Sequence, residues 1–131
     1  MNTKIRFHYG KSFTEDFSIN MNSLGRVAEK IAQKFLTKKG YKIIETNYWL
    51  KRYGEIDIIA KKGDVYYFYE VKALKSNLNF DPSIHYTKAK REKLKKIILY
   101  YTNMNNINEF VRGLITVEIG RKIRIKKYEN V

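Results

Sequence analysis

The sequence predicts an α/β domain in which a mixed sheet carries a helix on each side. Three observations predict it. An apolar stripe at three- and four-residue spacing starts near residue 24, three strand-like runs follow between residues 41 and 72, and a second helix-like run separates them from two more strands. Joining strand to strand through that second helix requires a parallel pair within an otherwise antiparallel or mixed sheet.

Residues 1–22 come first. Ile5, Phe7 and Tyr9 alternate with polar residues, as in a short strand, and Phe13 and Phe17 make the segment too apolar for a solvated tail. This reads as an appendage that packs on the domain or on a second subunit, with residues 23–131 as the domain itself. From Asn22 or Ser23 a helix follows, because Leu24, Val27, Ala28, Ile31, Ala32 and Phe35 form one stripe. Ser23 is placed to cap its start and Gly40 to take the left-handed position beyond its end. YKIIETNYWL is the first strand and LKRYG a turn. The run GEIDIIAKKGDVYYFYEVK, residues 54–72, is a hairpin. A loop around Asp81 and Pro82 leads to a helix from about Tyr86 to Tyr101, whose apolar face is Leu94, Ile97, Ile98 and Tyr101. FVRGLITVEI and KIRIKKY close the sheet around Gly120.

Composition narrows the function. At 131 residues the chain is long enough for one domain with a sizeable core. Twenty-seven Lys and Arg against thirteen Asp and Glu give a net charge of +14 and a pI near 9.9, which points to a polyanionic partner, nucleic acid before an anionic membrane. With no cysteine, disulfides, thiolate zinc sites and a cysteine nucleophile are excluded, and two histidines, His8 and His85, do not suffice for a histidine-rich metal centre. No run approaches the length of a membrane span and the first residues lack a signal-peptide core, so the expectation is a cytoplasmic protein with no membrane partner.

The hairpin holds the chemistry. Glu55, Asp57, Glu70 and Lys72 interrupt an apolar run that should pack well. A two-residue turn at Lys62-Gly63 sets Asp57 opposite Phe68 and Glu55 opposite Glu70. Alternation then puts all four charged residues on one face, with Ile56, Ile58, Tyr67, Tyr69 and Val71 on the other. Asp57 and Glu70 become diagonal neighbours with Cβ atoms within roughly 7 Å. Two carboxylates so close can share a cation, and Mg2+ or Mn2+ suits oxygen ligands that leave room for water and phosphate. A solvated sheet face is the plain alternative, and a one-residue slip would part the two acids.

These residues also carry a resemblance. GEID followed by EVK resembles the Asp…Glu-x-Lys core of the PD-(D/E)xK nuclease superfamily, the restriction-endonuclease-like fold. Within it, LGRVAEKIAQKFLTKKGY, GEIDIIA and YFYEVKA are similar to the YraN-type family, from about Leu24 to the closing KKYENV. The resemblance implies an αβββαβ core with Asp57 and Glu70 as metal ligands and Lys72 as the catalytic lysine. It also implies Glu29 leaning on the metal directly or through water, while Glu55 matches the glutamate of GEID. Two stretches depart from the pattern: Ala73-Leu74-Lys75 after the EVK strand, and Arg112-Gly113-Leu114 in the late strand.

Basic residues mark where nucleic acid can lie. Lys88, Lys90 and Arg91 open the second helix, and Lys90 matches a lysine common in the family. Lys122, Arg124 and Lys126 form a second track, and Lys51 and Arg52 precede the acidic strand. The expected function is a divalent-metal-dependent nuclease hydrolysing phosphodiester bonds in DNA that is branched, flapped or single-stranded. The alternatives are a non-catalytic nucleic-acid-binding module of the same fold and a dimeric junction-resolvase-like enzyme. The apolar N-terminal segment is compatible with a homodimer.

Overall fold

In the computed structural model, which describes residues 2–5, 21–75 and 87–131, the first apolar stripe becomes helix α1, Met21–Lys38. It buries Leu24, Ala28, Ile31, Ala32, Phe35 and Leu36. The helix begins two residues before Ser23, so Ser23 lies inside its first turn and does not cap it. The Ser23 hydroxyl instead accepts from the Arg26 guanidinium at 3.4 Å. The other end stops as its glycine requires. Gly40 has φ +91°, its N–H donates to the carbonyl of Thr37, and the N–H of Tyr41 donates to that of Leu36.

Strands β2 (Lys42–Leu50), β3 (Gly54–Lys62) and β4 (Val65–Lys75) follow as an antiparallel meander. Helix α2, Lys88–Met104, is capped by Thr87, whose hydroxyl accepts from the N–H of Lys90 at 3.2 Å. Strands β5 (Phe110–Ile119) and β6 (Ile123–Glu129) complete the core, and β4 and β5 are parallel as the crossover requires. Residues Asn2–Ile5 form strand β1 against the outer edge of β6, giving the six-stranded order β1-β6-β5-β4-β3-β2. The readings at Phe7, Tyr9, Phe13, Phe17, Asp81 and Pro82 fall outside the described residues.

Each face of the sheet has its own core. Against α1 lie Ile58, Ala60, Tyr69, Ile115, Val117, Ile123 and Ile125; against α2 lie Ile56, Ile59, Phe68 and Leu114. Each large side chain buried fully in this way contributes roughly 1.5–3 kcal/mol.

Two expectations for the hairpin need correction. Lys62 pairs with Val65, so the turn is Gly63-Asp64, with Gly63 at φ +61°. Moving the turn by one residue moves the register by two, and Phe68 pairs with Ile59 rather than with Asp57. A two-residue shift preserves the parity of the pleat, and a one-residue shift would not. The ladder ends at Ile58↔Tyr69, so Glu55 is not opposite Glu70; its cross-strand partner is Trp49 on β2. Strict alternation also fails there, because Ile56 joins Ile59 in the core under α2. Freed from β4, this end of β3 has no second ladder holding it to the pleat.

Gly113 decides how the middle of the sheet packs. A Cβ there would lie 2.6 Å from Cε1 of Tyr69 and 2.7 Å from the carbonyl oxygen of Tyr128. The Tyr69 ring therefore rests on bare backbone of β5, in the row Tyr69↔Gly113↔Glu129.

Candidate metal and nucleic-acid site

The site forms where β3 and β4 part. Past Ile58 the strands no longer exchange ladder hydrogen bonds, and the Asp57 side chain fills the gap: its Oδ2 accepts from the N–H of Val71 at 2.7 Å. Burial pushes the Asp57 carboxyl up from 3.8 to about 7. The Val71 N–H pulls it down, and the charges of Glu29, Glu70 and Glu55 push it further up. The fold thus gathers acids from α1, β3 and β4 within electrostatic reach of one another.

Glu70 stands on β4 beside Leu114. One of its oxygens, Oε1, forms an ion pair with the Nζ of Lys90 on α2. The other, Oε2, is buried and has no hydrogen-bond partner. A buried carboxylate oxygen left unpaired is costly, and a cation is the natural way to satisfy it. Lys72, two residues further along β4, pairs in register with Thr116 and is half-buried. On α1, Glu29 is half-buried, and its Oε1 accepts from Asn47 Nδ2 at 3.0 Å.

Among the described residues no three acidic or histidine side chains converge as a finished metal cluster. The reason is visible in the partners: Glu70 leans on Lys90, Glu29 on Asn47, and Asp57 on the backbone of β4. The donors present still fit a hard divalent cation, since a buried orphan oxygen and a carboxyl raised first by burial and then by neighbouring acids both gain from positive charge.

The basic residues fall into separate groups. Lys51 and Arg52 occupy the exposed β2–β3 turn, where Arg52 takes φ +78° and Lys96 of α2 lies 5.4 Å above the ring of Tyr53. Lys88 and Arg91 are exposed on the first turns of α2, whereas Lys90 turns inward to Glu70. Arg124 and Lys126 are exposed on β6, alternating with buried Ile123 and Ile125, and Lys122 sits in the turn before them. Lys72, Thr116 and Lys126 form one row across β4, β5 and β6, which sets the two lysines roughly 10 Å apart at the backbone. The second basic track therefore runs up to the candidate catalytic lysine.

Two features escaped the sequence reading. Asn47 holds Glu29 and sits at φ +51° within β2. Its signal was an asparagine in the middle of a strand, a residue type depleted there and tolerant of left-handed backbone. The inward turn of Lys90 left no such signal, because a lysine in a lysine-rich helix looks solvated.

The model of the uncharacterised protein family UPF0102 matches residues 28–124. A UPF0102 protein of Aliarcobacter butzleri is 39% identical over 108 residues, covering 82% of this chain and 94% of the relative. One of Fervidobacterium nodosum is 38% identical over 126 residues, covering 95% and 92%. A third, of Clostridioides difficile, is 44% identical over 91 residues, covering 69% and 78%.

Proposed function

The chain belongs to the uncharacterised protein family UPF0102, and from that premise we propose a divalent-metal-dependent nuclease of the PD-(D/E)xK type that hydrolyses phosphodiester bonds in DNA. The observation that carries this reading is the buried, unpartnered Oε2 of Glu70, a residue within electrostatic reach of Asp57 and two residues before Lys72. In it, Asp57 and Glu70 would hold Mg2+ or Mn2+ through oxygen, and Glu29 would support the ion directly or through water. When bound, such an ion lowers the pKa of a coordinated water and polarises a phosphoryl oxygen. Lys72 orients the attacking water and offsets charge developing on the phosphate. Arg124 and Lys126 hold neighbouring phosphates along β6. Lys90 pairs with Oε1 of Glu70 and leaves Oε2 for the ion, so it would hold the Glu70 carboxylate in place.

One observation favours a second reading, a nucleic-acid-binding module without catalysis. Each of the two principal acids already has a partner, Lys90 for Glu70 and the Val71 N–H for Asp57. Titrating Mn2+ and Mg2+ against linear, single-stranded, flapped and branched DNA separates the two. The nuclease reading expects metal-dependent products that Glu70→Ala reduces on the order of a thousandfold, with DNA affinity largely kept. Cleavage by Glu70→Ala at the wild-type rate would overturn the assignment. Salt-sensitive binding with no metal-dependent product would establish the binding module.

A further inference from the structure

Helix α2 has a second charged face, away from Glu70. Spacings of three and four residues put Lys88, Arg91 and Lys95 on one stripe, and none of them is the residue that pairs with Glu70. Across from this stripe, Phe110 and Arg112 stand two residues apart at the start of β5. The groove between them has a volume of about 600 Å³. Glu92 is its one acidic wall residue, against four basic ones. Among the described residues, none of those four side chains forms an ion pair. Like charges at helical spacing repel one another, so the helix gains nothing from this stripe by itself. None of Glu29, Asp57, Glu70 and Lys72 lines the groove.

Phe110 supplies what a plain anion site lacks. It is 40% exposed, and Phe68 braces it edge-to-face, with ring centroids 5.9 Å apart and planes at 85°. Leu99, 44% exposed, forms an apolar wall of the same groove. A cationic track beside an exposed, braced aromatic ring suits single-stranded nucleic acid, whose phosphates follow the charges while a base stacks on the ring. A duplex keeps its base faces stacked inside and cannot use Phe110. Inorganic polyphosphate and acidic peptides satisfy the charges and have no base to stack.

We propose that the groove between α2 and β5, with Lys88, Arg91, Lys95 and Arg112 along it and Phe110 at its wall, binds a single-stranded nucleic-acid segment. It would act as a second contact for a substrate arm that extends from the metal site. This rests on the reading that the chain acts on nucleic acid, and it specifies that the substrate has a single-stranded portion.

The test is fluorescence anisotropy of the full chain with labelled oligothymidylate, in EDTA so that no cleavage occurs. The competitors are duplex DNA and inorganic polyphosphate. Arg91→Glu combined with Lys95→Glu changes two exposed positions, and it should weaken oligothymidylate binding at least about tenfold and lower the salt slope by about 1.4. Phe110→Ala should weaken oligothymidylate about tenfold and leave polyphosphate competition unchanged. Circular dichroism confirms that each variant is folded. Wild-type oligothymidylate affinity in the charge-reversed protein overturns the proposal. So does an equal loss of oligothymidylate and polyphosphate in Phe110→Ala, which would mark an anion groove without base recognition. If groove variants lose single-strand binding while no DNA is ever cleaved, the groove stands and the nuclease reading falls. If cleavage is found and the groove variants bind like wild type, the groove alone falls.

Discussion

Glu70 and Glu129 lie in consecutive rows of the same sheet and have opposite fates. In the row Tyr69↔Gly113↔Glu129, the missing side chain at Gly113 lets the Tyr69 ring cross β5, and its hydroxyl donates to Glu129 Oε2 at 2.9 Å. Lys127 adds an ion pair to the same oxygen at 3.2 Å and donates to the Tyr41 hydroxyl at 2.7 Å. Burial and then the Glu129 hydrogen bond push the Tyr69 phenol far up. Burial draws the Lys127 ammonium down, but its bonds to Tyr41 and Glu129 outweigh that and leave it raised. In the next row, Glu70↔Leu114↔Tyr128, the carboxylate has Lys90 on one oxygen and nothing on the other. The Glu70 side chain is also the more buried, 18% exposed against 34% for Glu129. Stability alone would distribute partners the other way, to the carboxylate with less access to water. The closed row holds the sheet together; the open one leaves a buried carboxylate oxygen unsatisfied, the feature on which the proposed metal site rests.

The sharpest way to break this comparison is to exchange the fates of the two glutamates. Glu70→Ala should cost on the order of a thousandfold in metal-dependent cleavage with little change in melting temperature. Glu129→Gln should leave cleavage within about twofold. Equal losses in both assays would mean that the two rows share one role.

Asp57 gives the next largest effect. Its folded value of about 7 exceeds the ordinary 3.8, so between those values the folded chain holds a proton that the unfolded chain has released. This contribution is therefore fully present below pH 3.8 and is lost as pH rises through about 7. The loss amounts to at most about 4 kcal/mol. Urea unfolding at pH 5 and pH 8 should show the decline in the wild type and not in Asp57→Asn. Mn2+ at pH 8 should restore stability to the wild type only. A flat wild-type profile would remove the electrostatic argument for a cation.

Gly113→Ala tests the closed row directly. The added Cβ meets Tyr69 and the Tyr128 carbonyl oxygen well inside contact distance, and about 3 kcal/mol of stability should be lost. Pairing it with Tyr69→Phe, which keeps the ring, should not recover that loss, because the clash is with the ring and the backbone. The smallest effect is the stability change in Glu129→Gln. The amide can still accept from Tyr69 and loses only the charge opposite Lys127, about 1–2 kcal/mol by thermal melting.

Most of the architecture was legible because apolar periodicity is a local property of the chain. The stripe from Leu24 to Phe35, the alternation through β4 and the order of elements around α2 all follow from residue spacing. Gly40 was legible too, since a left-handed helix end favours glycine. The hairpin turn was ambiguous for the same local reason: Gly63 satisfies a positive φ in either two-residue loop, and only the pairing of Lys62 with Val65 chooses between them. The extra structure at Met21 and Asn22 moved the helix start ahead of a residue suited to capping it.

By itself, then, the sequence determined a basic α/β chain with Asp57, Glu70 and Lys72 set within one hairpin, because the strand runs and the turn at Gly63 are local patterns, whereas Asp57 lies past the ladder and is held to β4 by its own side chain. The tertiary structure decided which of those charges find partners. Whether Lys90 reaches Glu70, Asn47 reaches Glu29, or Tyr69 reaches Glu129 depends on helix placement and on a missing side chain one strand away. These are contacts between residues 18 to 60 positions apart in the chain, and no local pattern encodes them.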